Sequence, residues 1–493
     1  MELEINLIQG GPPLYDQIYG HIRDAIRTGE LKTGERIPST RSLASYLNIA
    51  RSTVTTAYDQ LLSEGYIESR PQRGYFVADL AGLDYMPFGR DEEDASPDTA
   101  ALPAKGTGEE EHIDFSPRSI DLKFFPFSTW AKLTRSALTN GAAEMFSMGD
   151  AQGDLPLRAT IARSLLLSRG VHCSPEDIVV GAGNDYLLLL LSRLLGEGRT
   201  AGMEYVSYVR ASRVLYRAGI DVRPVTIDSR GMSVESLRAS GADVAYVMPS
   251  HQFPTGIVMP VGRRSELLYW AAEKDRYIIE DDYDSEFRYR GRPIPPMKAS
   301  DSLGKVIYLG TFSKSIAPAI RVSFMVLPRH LAEVFGREYR VFSSTVSRLD
   351  QRVLTAYIGE GYLERSVNRV RKAYRIKHDC LLESLRGLPP GYAIRGADAG
   401  LHLIVEEEEP AGPEAASERE REVALLAGKR GVRVYPVSDD LIDSARNLSW
   451  LKREVGKLKP AWVLGYAALD EGQIKRGTDI FRECLEEAPA RRI

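Results

Sequence analysis

Two short apolar runs, each ending in polar residues, constrain the fold of this chain more than any other feature. The first run, Tyr277 to Tyr283, reads Tyr-Ile-Ile-Glu-Asp-Asp-Tyr, and the second has the apolar core Val306 to Tyr308. Both have the length and composition of buried strands. The second run leads through Gly310-Thr311-Phe312-Ser313 to Lys314, so the lysine is predicted to follow the carboxyl end of a strand.

The residues around Lys314 predict a site for a phosphorylated aldehyde. Partial burial lowers the pKa of a lysine towards the neutral amine that a Schiff base requires. Thr311, Ser313 and Arg321 add two hydroxyl groups and a cation, which are the groups that bind a phosphate monoester. This set of residues indicates pyridoxal 5'-phosphate (PLP), with Lys314 as the residue that forms the Schiff base.

The first run supplies the remaining groups of such a site. Asp281 and Tyr283 are two residues apart in a strand and therefore face the same side. A carboxylate near the pyridine nitrogen keeps that nitrogen protonated, and a phenol can hydrogen-bond the 3-oxygen of the ring. The alternative is that Asp281 caps a helix or loop and Lys314 is a surface lysine, and the presence of both motifs in one chain disfavours it.

From about Ile113 to the C-terminus, the chain resembles fold type I aminotransferases. The turn with Gly183 and Asn184 resembles the glycine turn that leads into a helix, here 186–195, whose amides bind the cofactor phosphate. The resemblance implies that Tyr208 stacks on the pyridine ring. It also implies that Arg210 contacts the effector or the phosphate. We interpret His251 as a residue of the effector pocket.

Three positions depart from the aminotransferase pattern. Phe253 stands where the family has the asparagine of an Asn-Pro-Thr-Gly turn, and Met148 replaces a tyrosine that reaches the phosphate of the neighbouring subunit. Val463 stands where related aminotransferases carry the arginine that binds the substrate carboxylate, and Arg446 or Arg453 are alternatives for that role. A standard amino-acid substrate would therefore lose its bidentate anchor.

Residues 11–78 predict a second domain, a winged helix-turn-helix. Isoleucines at 18, 22 and 26 mark one face of a first helix. Turn and cap residues then predict two further helices, the last capped by Ser52, and a hairpin with a basic tip. The predicted elements are helices over 15–27, 41–47 and 53–64, and strands over 65–70 and 74–77.

This segment resembles the GntR family of bacterial repressors in Pro38-Ser39-Thr40-Arg41, Arg51-Ser52-Thr53-Val54 and Ala57-Tyr58. The resemblance implies binding to double-stranded operator DNA. Arg41, Arg51 and Thr53 would meet phosphates or base edges, while Ser39 and Arg73 would contact the DNA backbone. The alternative is a three-helix interaction module that binds no DNA.

Length and composition agree with two domains and a linker. The 493 residues exceed what one core organises, and 79–112 is acidic, contains scattered proline and glycine, and predicts a flexible linker before an effector domain at 113–493. Three widely spaced cysteines and seven histidines show no metal-binding pattern, so we predict no metal site. The cysteine content and the absence of a signal-peptide pattern favour a cytoplasmic protein, and no apolar run is long enough to cross a membrane.

A GntR-like head on an aminotransferase-like body resembles the MocR (GabR-type) regulators. The implied fold is a winged helix-turn-helix joined to an α/β fold type I body with a large PLP domain and a smaller α+β subdomain. The resemblance implies a head-to-tail homodimer, no full transaminase turnover, and an amine or amino-acid effector that displaces Lys314 from the cofactor. Two alternatives stay open: a working aminotransferase with a DNA-binding appendage, and a sensor of PLP itself.

Overall fold

The computed structural model describes residues 5, 7–8, 12–71, 73–79, 112–139, 142–289, 294–444 and 458–488. The chain divides into two compact units, and the boundary between them falls within 80–111. Nearly all of the predicted linker therefore lies outside the described residues. Arg446 and Arg453, the alternative carboxylate ligands, lie outside them too.

In its described residues, the N-terminal unit contains three helices and a small antiparallel sheet. Helix α1 buries Ile18, Ile22 and Ile26 on one face, as the four-residue spacing predicts. The three strands have the order β1-β3-β2. The elements are α1 (Leu14–Arg27), β1 (Arg36–Ile37), α2 (Thr40–Tyr46), α3 (Arg51–Ser63), β2 (Ile67–Arg70) and β3 (Gly74–Val77).

Two details of this unit differ from the sequence prediction. Helix α3 begins at Arg51 after Ala50, whose backbone is extended, so Ser52 lies inside the first turn and does not cap the helix. The prediction of Ser52 as the cap was therefore wrong. Strand β1 was not predicted, because two residues are too few to show an alternating pattern.

The second unit is built on a seven-stranded sheet. Its strands have the order β5-β13-β12-β11-β10-β6-β7, and they run parallel except β13, which is antiparallel to both neighbours. Its strands are β5 (Ile178–Gly181), β6 (Thr200–Glu204), β7 (Asp221–Val225), β10 (Val244–Val247), β11 (Tyr277–Asp282), β12 (Val306–Thr311) and β13 (Ser323–Val326).

Strands β11 and β12 are the two runs that the sequence singles out. They are neighbours in the sheet, with Asp281 opposite Leu309 and Asp282 opposite Gly310. All six residues of β11 and the first five of β12 are buried, as expected for parallel strands covered on both faces. Because the two strands are parallel, their polar ends meet at the same edge of the sheet.

Among the described residues, helices pack around this sheet and around the smaller sheet of the second unit. They are α4 (Phe127–Thr139), α5 (Ala142–Met145), α6 (Leu155–Arg169), α7 (Asn184–Leu195), α8 (Val209–Arg217), α9 (Val234–Ser240), α10 (Val261–Ala272), α11 (Arg329–Glu338), α12 (Arg348–Gly359), α13 (Tyr362–Ser384), α14 (Pro413–Lys429) and α15 (Glu471–Glu487). Across the described ranges, none of these helices combines the length and hydrophobicity needed to cross a membrane.

A smaller antiparallel sheet of order β14-β15-β18-β17 forms the C-terminal part. Its strands are β14 (Tyr392–Arg395), β15 (His402–Glu407), β17 (Tyr435–Pro436) and β18 (Ala461–Gly465). Two pairs of short strands complete the unit, β4 (Ile113–Asp114) with β16 (Val432–Arg433), and β8 (Ile227–Asp228) with β9 (Gly231–Met232). The architecture is the α/β body with a smaller α+β part that the sequence predicts.

Candidate cofactor and DNA-binding sites

Lys314 lies three residues beyond the end of β12 and is half-buried. Its Nζ donates hydrogen bonds to the backbone carbonyl oxygens of Pro117 and Arg118, at 3.0 Å each. Burial lowers the pKa of Lys314 to about 8, while the charge of Asp284 raises it and that of Arg118 lowers it further. A substantial neutral fraction near physiological pH suits a lysine that attacks an aldehyde.

Asp281 lies at the end of β11 and is held by two donors. The hydroxyl of Tyr246 donates to Oδ2 at 2.5 Å, and the side-chain amide of Asn184 donates to Oδ1 at 3.3 Å. Burial raises the pKa of Asp281 to about 6, and both hydrogen bonds lower it. The carboxylate therefore remains ionised at neutral pH, as the partner of a protonated pyridine nitrogen must.

The neighbouring Asp282 serves a different purpose. Its carboxylate pairs with Arg169 at 2.8 Å and accepts a hydrogen bond from Tyr308 at 2.6 Å. The two adjacent carboxylates thus have separate sets of partners, in agreement with the alternation of side chains along a strand. Asp282 is a structural group of the body, and Asp281 is the group available to a cofactor.

Tyr283 belongs to a cluster with His251 and Asp284. Nδ1 of His251 lies 3.0 Å from the Tyr283 hydroxyl and 2.9 Å from Oδ2 of Asp284. Burial and the nearby carboxylates raise the pKa of Tyr283 well above its usual value, so the phenol keeps its proton. His251, which the sequence predicts as an effector contact, is itself almost fully buried. Its burial favours an additional role in positioning the Tyr283 phenol.

The phosphate end of the site is formed by the glycine turn and Arg321. Gly183 is the N-cap of α7 with φ +92°, and a Cβ placed there would lie 2.5 Å from Nη2 of Arg321. Arg321 itself has a left-handed backbone, with φ +52°. Its guanidinium therefore lies directly against the turn whose helix amides attract an anion.

Arg210 lies at this same end. Its Nη2 is 2.5 Å from Oδ2 of Asp185, and that oxygen is also 3.4 Å from Nη2 of Arg321. Arg210 and Arg321 thus share one carboxylate. This pairing favours the phosphate contact over the effector contact as the role of Arg210.

Thr311 and Ser313 lie between β12 and Lys314. Oγ1 of Thr311 accepts a hydrogen bond from the backbone amide of Ser313 at 3.2 Å and lies 2.9 Å from Oγ of Ser323. These contacts fix the short turn that carries Lys314. The contacts of the described residues give no partner to the Ser313 hydroxyl, which fits a group that binds an anion.

Tyr208 and Phe253 supply aromatic rings beside these polar groups. Tyr208 is the N-cap of α8, and its ring lies edge-on to Phe253 with centroids 6.3 Å apart. The Phe253 ring is likewise edge-on to Tyr283 at 6.5 Å. Phe253, at the position where the resemblance expects an asparagine, has no group that could hydrogen-bond the oxygen of a cofactor ring.

Taken together, these residues fit PLP. The side-chain oxygen Oδ1 of Asn184 and the ring nitrogen Nε2 of His251 are buried and have no partner among the described residues, as expected where a polar ligand completes the site. Gly183 leaves room that a side chain would fill. Lys314, Asp281 and Arg321 provide the amine, the carboxylate and the cation that this cofactor requires.

The other two departures from the aminotransferase pattern have clear structural settings. Val463 is fully buried in β18 and packs with Val206 and Leu441, so it contributes apolar core and no anchor. Met148 is 83% exposed. Neither side chain can form the charged or hydrogen-bonded contact of its aminotransferase counterpart.

In the N-terminal unit, the predicted DNA contacts lie around α2, α3 and the wing. Arg41, Arg51, Arg73 and Ser39 are exposed, and Thr53 is partly exposed. Ser39 also caps α2, because its hydroxyl accepts a hydrogen bond from the Ser42 amide at 3.1 Å. Exposed arginines at the start of two helices and on a hairpin turn form a surface suited to a phosphate backbone.

The structure adds two residues that the sequence prediction missed. Tyr246 binds Asp281 from the adjacent strand β10, and only the pairing of β10 with β11 could have indicated it. Arg36 lies beside the wing, with its Nε 3.5 Å from a Cβ placed on Gly74. It adds another arginine to the surface that carries Arg73.

Comparisons with known proteins cover both units. Residues 14–77 match the gntR family of bacterial regulatory proteins. The chain is 36% identical to the HTH-type transcriptional regulator YdeL of Bacillus subtilis over 94% of this chain and 95% of the relative. It is 33% identical to the probable rhizopine catabolism regulatory protein MocR of Rhizobium meliloti over 96% of this chain and 94% of the relative.

Among solved structures, the multiple substrate aminotransferase of Thermococcus profundus is similar, with a TM-score of 0.66 and 26% identity. The match covers 77% of this chain and 92% of that enzyme. The body therefore has the fold type I aminotransferase architecture, and the relatives named as regulators match nearly the whole chain. The chain belongs to the MocR-type branch of the GntR family of transcriptional regulators.

Proposed function

We propose that this regulator binds PLP at Lys314 and uses it to sense an amine or amino acid. The observation that carries the proposal is the environment of Lys314, whose pKa is about 8 and whose strand pairs with the strand of Asp281. When bound, PLP supplies an aldehyde that condenses with amines and a ring that withdraws electrons.

Each residue of the site has a defined role in this proposal. Asp281, oriented by Tyr246 and Asn184, holds a proton on the ring nitrogen, and Tyr283 donates to the ring oxygen. Arg321, Thr311, Ser313 and the amides that follow Gly183 bind the phosphate. Tyr208 stacks on the ring, and His251 orients Tyr283.

We further propose that the chain senses without turnover. Transamination needs a substrate whose carboxylate is held so that the Cα–H bond aligns with the ring. Val463 is buried apolar core, and Phe253 removes one contact to the ring. The loss of such positioning contacts lowers the rate of a proton transfer far more than it lowers binding.

The N-terminal unit provides the output. We propose that Arg41, Arg51 and Thr53 reach the major groove of operator DNA in the cytoplasm, with Ser39 and Arg73 on the backbone. Two copies in a head-to-tail dimer would present two recognition helices, and effector binding would change their spacing.

The test is the absorbance of the purified protein with PLP, for wild type and for Lys314→Ala, with a panel of amines and amino acids. We expect wild type to show the band of lysine-bound cofactor, and one class of amine to alter it without release of a keto acid. Lys314→Ala should lack the band and still bind DNA. Release of keto acid over many turnovers would instead identify an enzyme, and a response to PLP alone would identify a cofactor sensor.

A further inference from the structure

Position 463 leaves the effector pocket without the usual carboxylate-binding arginine, but another arginine lies beside Lys314. The backbone oxygen of Arg118 accepts a hydrogen bond from Lys314 Nζ at 3.0 Å. The Arg118 side chain is 67% exposed. The exposed guanidinium thus belongs to a residue whose backbone contacts the reactive amine, and its charge lowers the pKa of that amine, so it is available to a small ligand.

Arg118 faces a buried carboxylate. Its Nη2 is 4.0 Å from Oδ1 of Asp440, whose side chain is only 10% exposed. At this distance the two groups attract each other but form no hydrogen bond. Within the described ranges, no hydrogen bond to this carboxylate is found, and burial raises its pKa to about 7 although the charge of Arg118 lowers it.

The same corner of the site contains the predicted ring-stacking residue. The Ser207 amide donates to the backbone oxygen of Asp440 at 2.9 Å, and Val206 bridges to Leu441. The segment that ends in Tyr208 is therefore fixed to the segment that carries Asp440. Arg118 joins this corner to Lys314, because its backbone oxygen accepts a hydrogen bond from Nζ and its guanidinium faces Asp440.

We propose that Arg118 binds the carboxylate of the effector and that Asp440 limits the affinity of this contact. The inference rests on the function proposed above. A guanidinium forms a bidentate contact with a carboxylate and is loosely held here, so it can turn to a ligand. The effector is then an amino acid rather than a simple amine, and its carboxylate is held from the segment after β4 and not from β18, where the aminotransferase anchor that supports turnover would stand. Burial raises the pKa of Asp440 to about 7, so above that pH its carboxylate is mostly ionised and repels the carboxylate of the effector.

The experiment compares each amino acid with the amine that lacks its carboxylate. Suitable pairs are alanine with ethylamine, leucine with 3-methylbutylamine, and 5-aminopentanoate with butylamine. Binding to the PLP-loaded protein is measured by the change in cofactor absorbance and by calorimetry. The readout is the ratio of the two dissociation constants within each pair.

We expect wild type to prefer the amino acid of at least one pair by about tenfold or more, the size of a charge-assisted hydrogen bond. Arg118→Ala should bring that ratio close to one, and Arg118→Lys should retain part of it. At about pH 8, where Asp440 is mostly ionised in wild type, Asp440→Asn should increase the preference several-fold because it removes a repulsive charge. A purely structural role for this pair predicts that both variants reduce the preference.

Different outcomes separate this inference from the proposed function. If no amine or amino acid changes the absorbance of the loaded wild type, sensing itself fails. If ligands bind and Arg118→Ala keeps the wild-type ratio, the inference is overturned. Loss of the preference in Arg446→Ala or Arg453→Ala, with Arg118→Ala unaffected, would assign the carboxylate to one of those residues instead.

Discussion

The two functional regions of this chain are built in opposite ways. The predicted DNA-binding surface consists of exposed or partly exposed side chains on short elements within 35 consecutive residues, from Ser39 to Arg73. The candidate cofactor site brings together residues from Pro117 to Arg321, and its charged groups have specific side-chain or backbone partners. Residues of the first region act largely one by one, whereas those of the second depend on each other.

The comparison predicts that mutations in the DNA-binding surface have additive effects and leave the body intact. Arg41→Ala with Arg51→Ala should weaken operator binding by on the order of a hundredfold or more, since each contact contributes about 1–3 kcal/mol. Fluorescence anisotropy at several salt concentrations measures both affinity and salt slope. Each lost phosphate contact should reduce the slope by about 1.

Arg23→Ala is the matched control, because Arg23 lies on α1 and its guanidinium pairs with Asp24 at 2.8 Å. It should leave operator affinity nearly unchanged. Cofactor absorbance should be that of wild type in both variants. Equal losses from Arg23→Ala and the double variant would show that net charge, and not the surface around α2 and α3, determines binding.

In the body, one added methyl group should disrupt the site. Gly183→Ala would place Cβ 2.5 Å from Nη2 of Arg321, in a backbone conformation with φ +92° that disfavours any side chain. Displacement of Arg321 should reduce PLP affinity by about ten- to a hundredfold, in line with the cost of about 1–3 kcal/mol for such strain. Equilibrium titration of the apo protein with PLP measures it.

Gly196→Ala is the control for backbone strain. Gly196 has nearly the same conformation, with φ +89° and ψ +168°, and a Cβ added there would meet no atom within 4 Å other than those of its neighbours in the chain. Both variants should lose thermal stability, and only Gly183→Ala should lose cofactor affinity. If the two variants lose affinity equally, Arg321 has no special role at the phosphate end.

A smaller effect should follow from loss of one hydrogen bond to Asp281. The Tyr246 bond lowers the pKa of Asp281, so in Tyr246→Phe that pKa rises above about 6 and the carboxylate is partly protonated closer to neutral pH. PLP affinity should fall by about tenfold, with the loss beginning at a higher pH than in wild type. Titrations with PLP between about pH 5.5 and 8 measure the shift.

Tyr308→Phe provides the comparison, because Tyr308 donates to the adjacent Asp282 on the other side of the strand. It should reduce stability without moving the pH dependence of cofactor binding. A shift of equal size in both variants would mean that the two carboxylates titrate as one unit, and the separation of their roles would fail.

The smallest effect concerns the free amine of Lys314. Burial lowers its pKa to about 8, so the neutral form is half populated near that pH, compared with about 10.4 for an ordinary lysine. Labelling of the apo protein with an amine-reactive reagent, followed by mass spectrometry, should show Lys314 reacting with a midpoint about two units below that of the surface lysines. A midpoint equal to theirs would contradict the burial argument.

Local sequence patterns predicted most of the DNA-binding unit. The isoleucine spacing of α1 and the turn residues before α2 act over a few positions, so they can be read directly. Strand β1 was missed because an element of two residues forms through packing and shows no sequence pattern. The true start of α3 was missed because packing decides which of two nearby residues precedes the helix.

In the body, the motif residues were predictable, but their partners were not. Asp281, Tyr283 and Lys314 follow recognisable strands, whereas Tyr246 reaches Asp281 only through the pairing of β10 with β11. The carboxylate of Asp185, which Arg210 and Arg321 share, is likewise a tertiary contact between elements far apart in sequence. Such contacts depend on strand order, which a single sequence does not specify.

The two carbonyl groups that accept hydrogen bonds from Lys314 belong to Pro117 and Arg118, a few residues after the start of the second unit's first strand, β4. Followed back along the chain, they lie only about five residues from the predicted linker at 79–112. If Lys314 were joined to an aldehyde, its nitrogen would keep at most one N–H, so the two carbonyl oxygens could no longer each accept a separate hydrogen bond. The backbone groups that would lose a donor therefore lie close in sequence to the predicted linker.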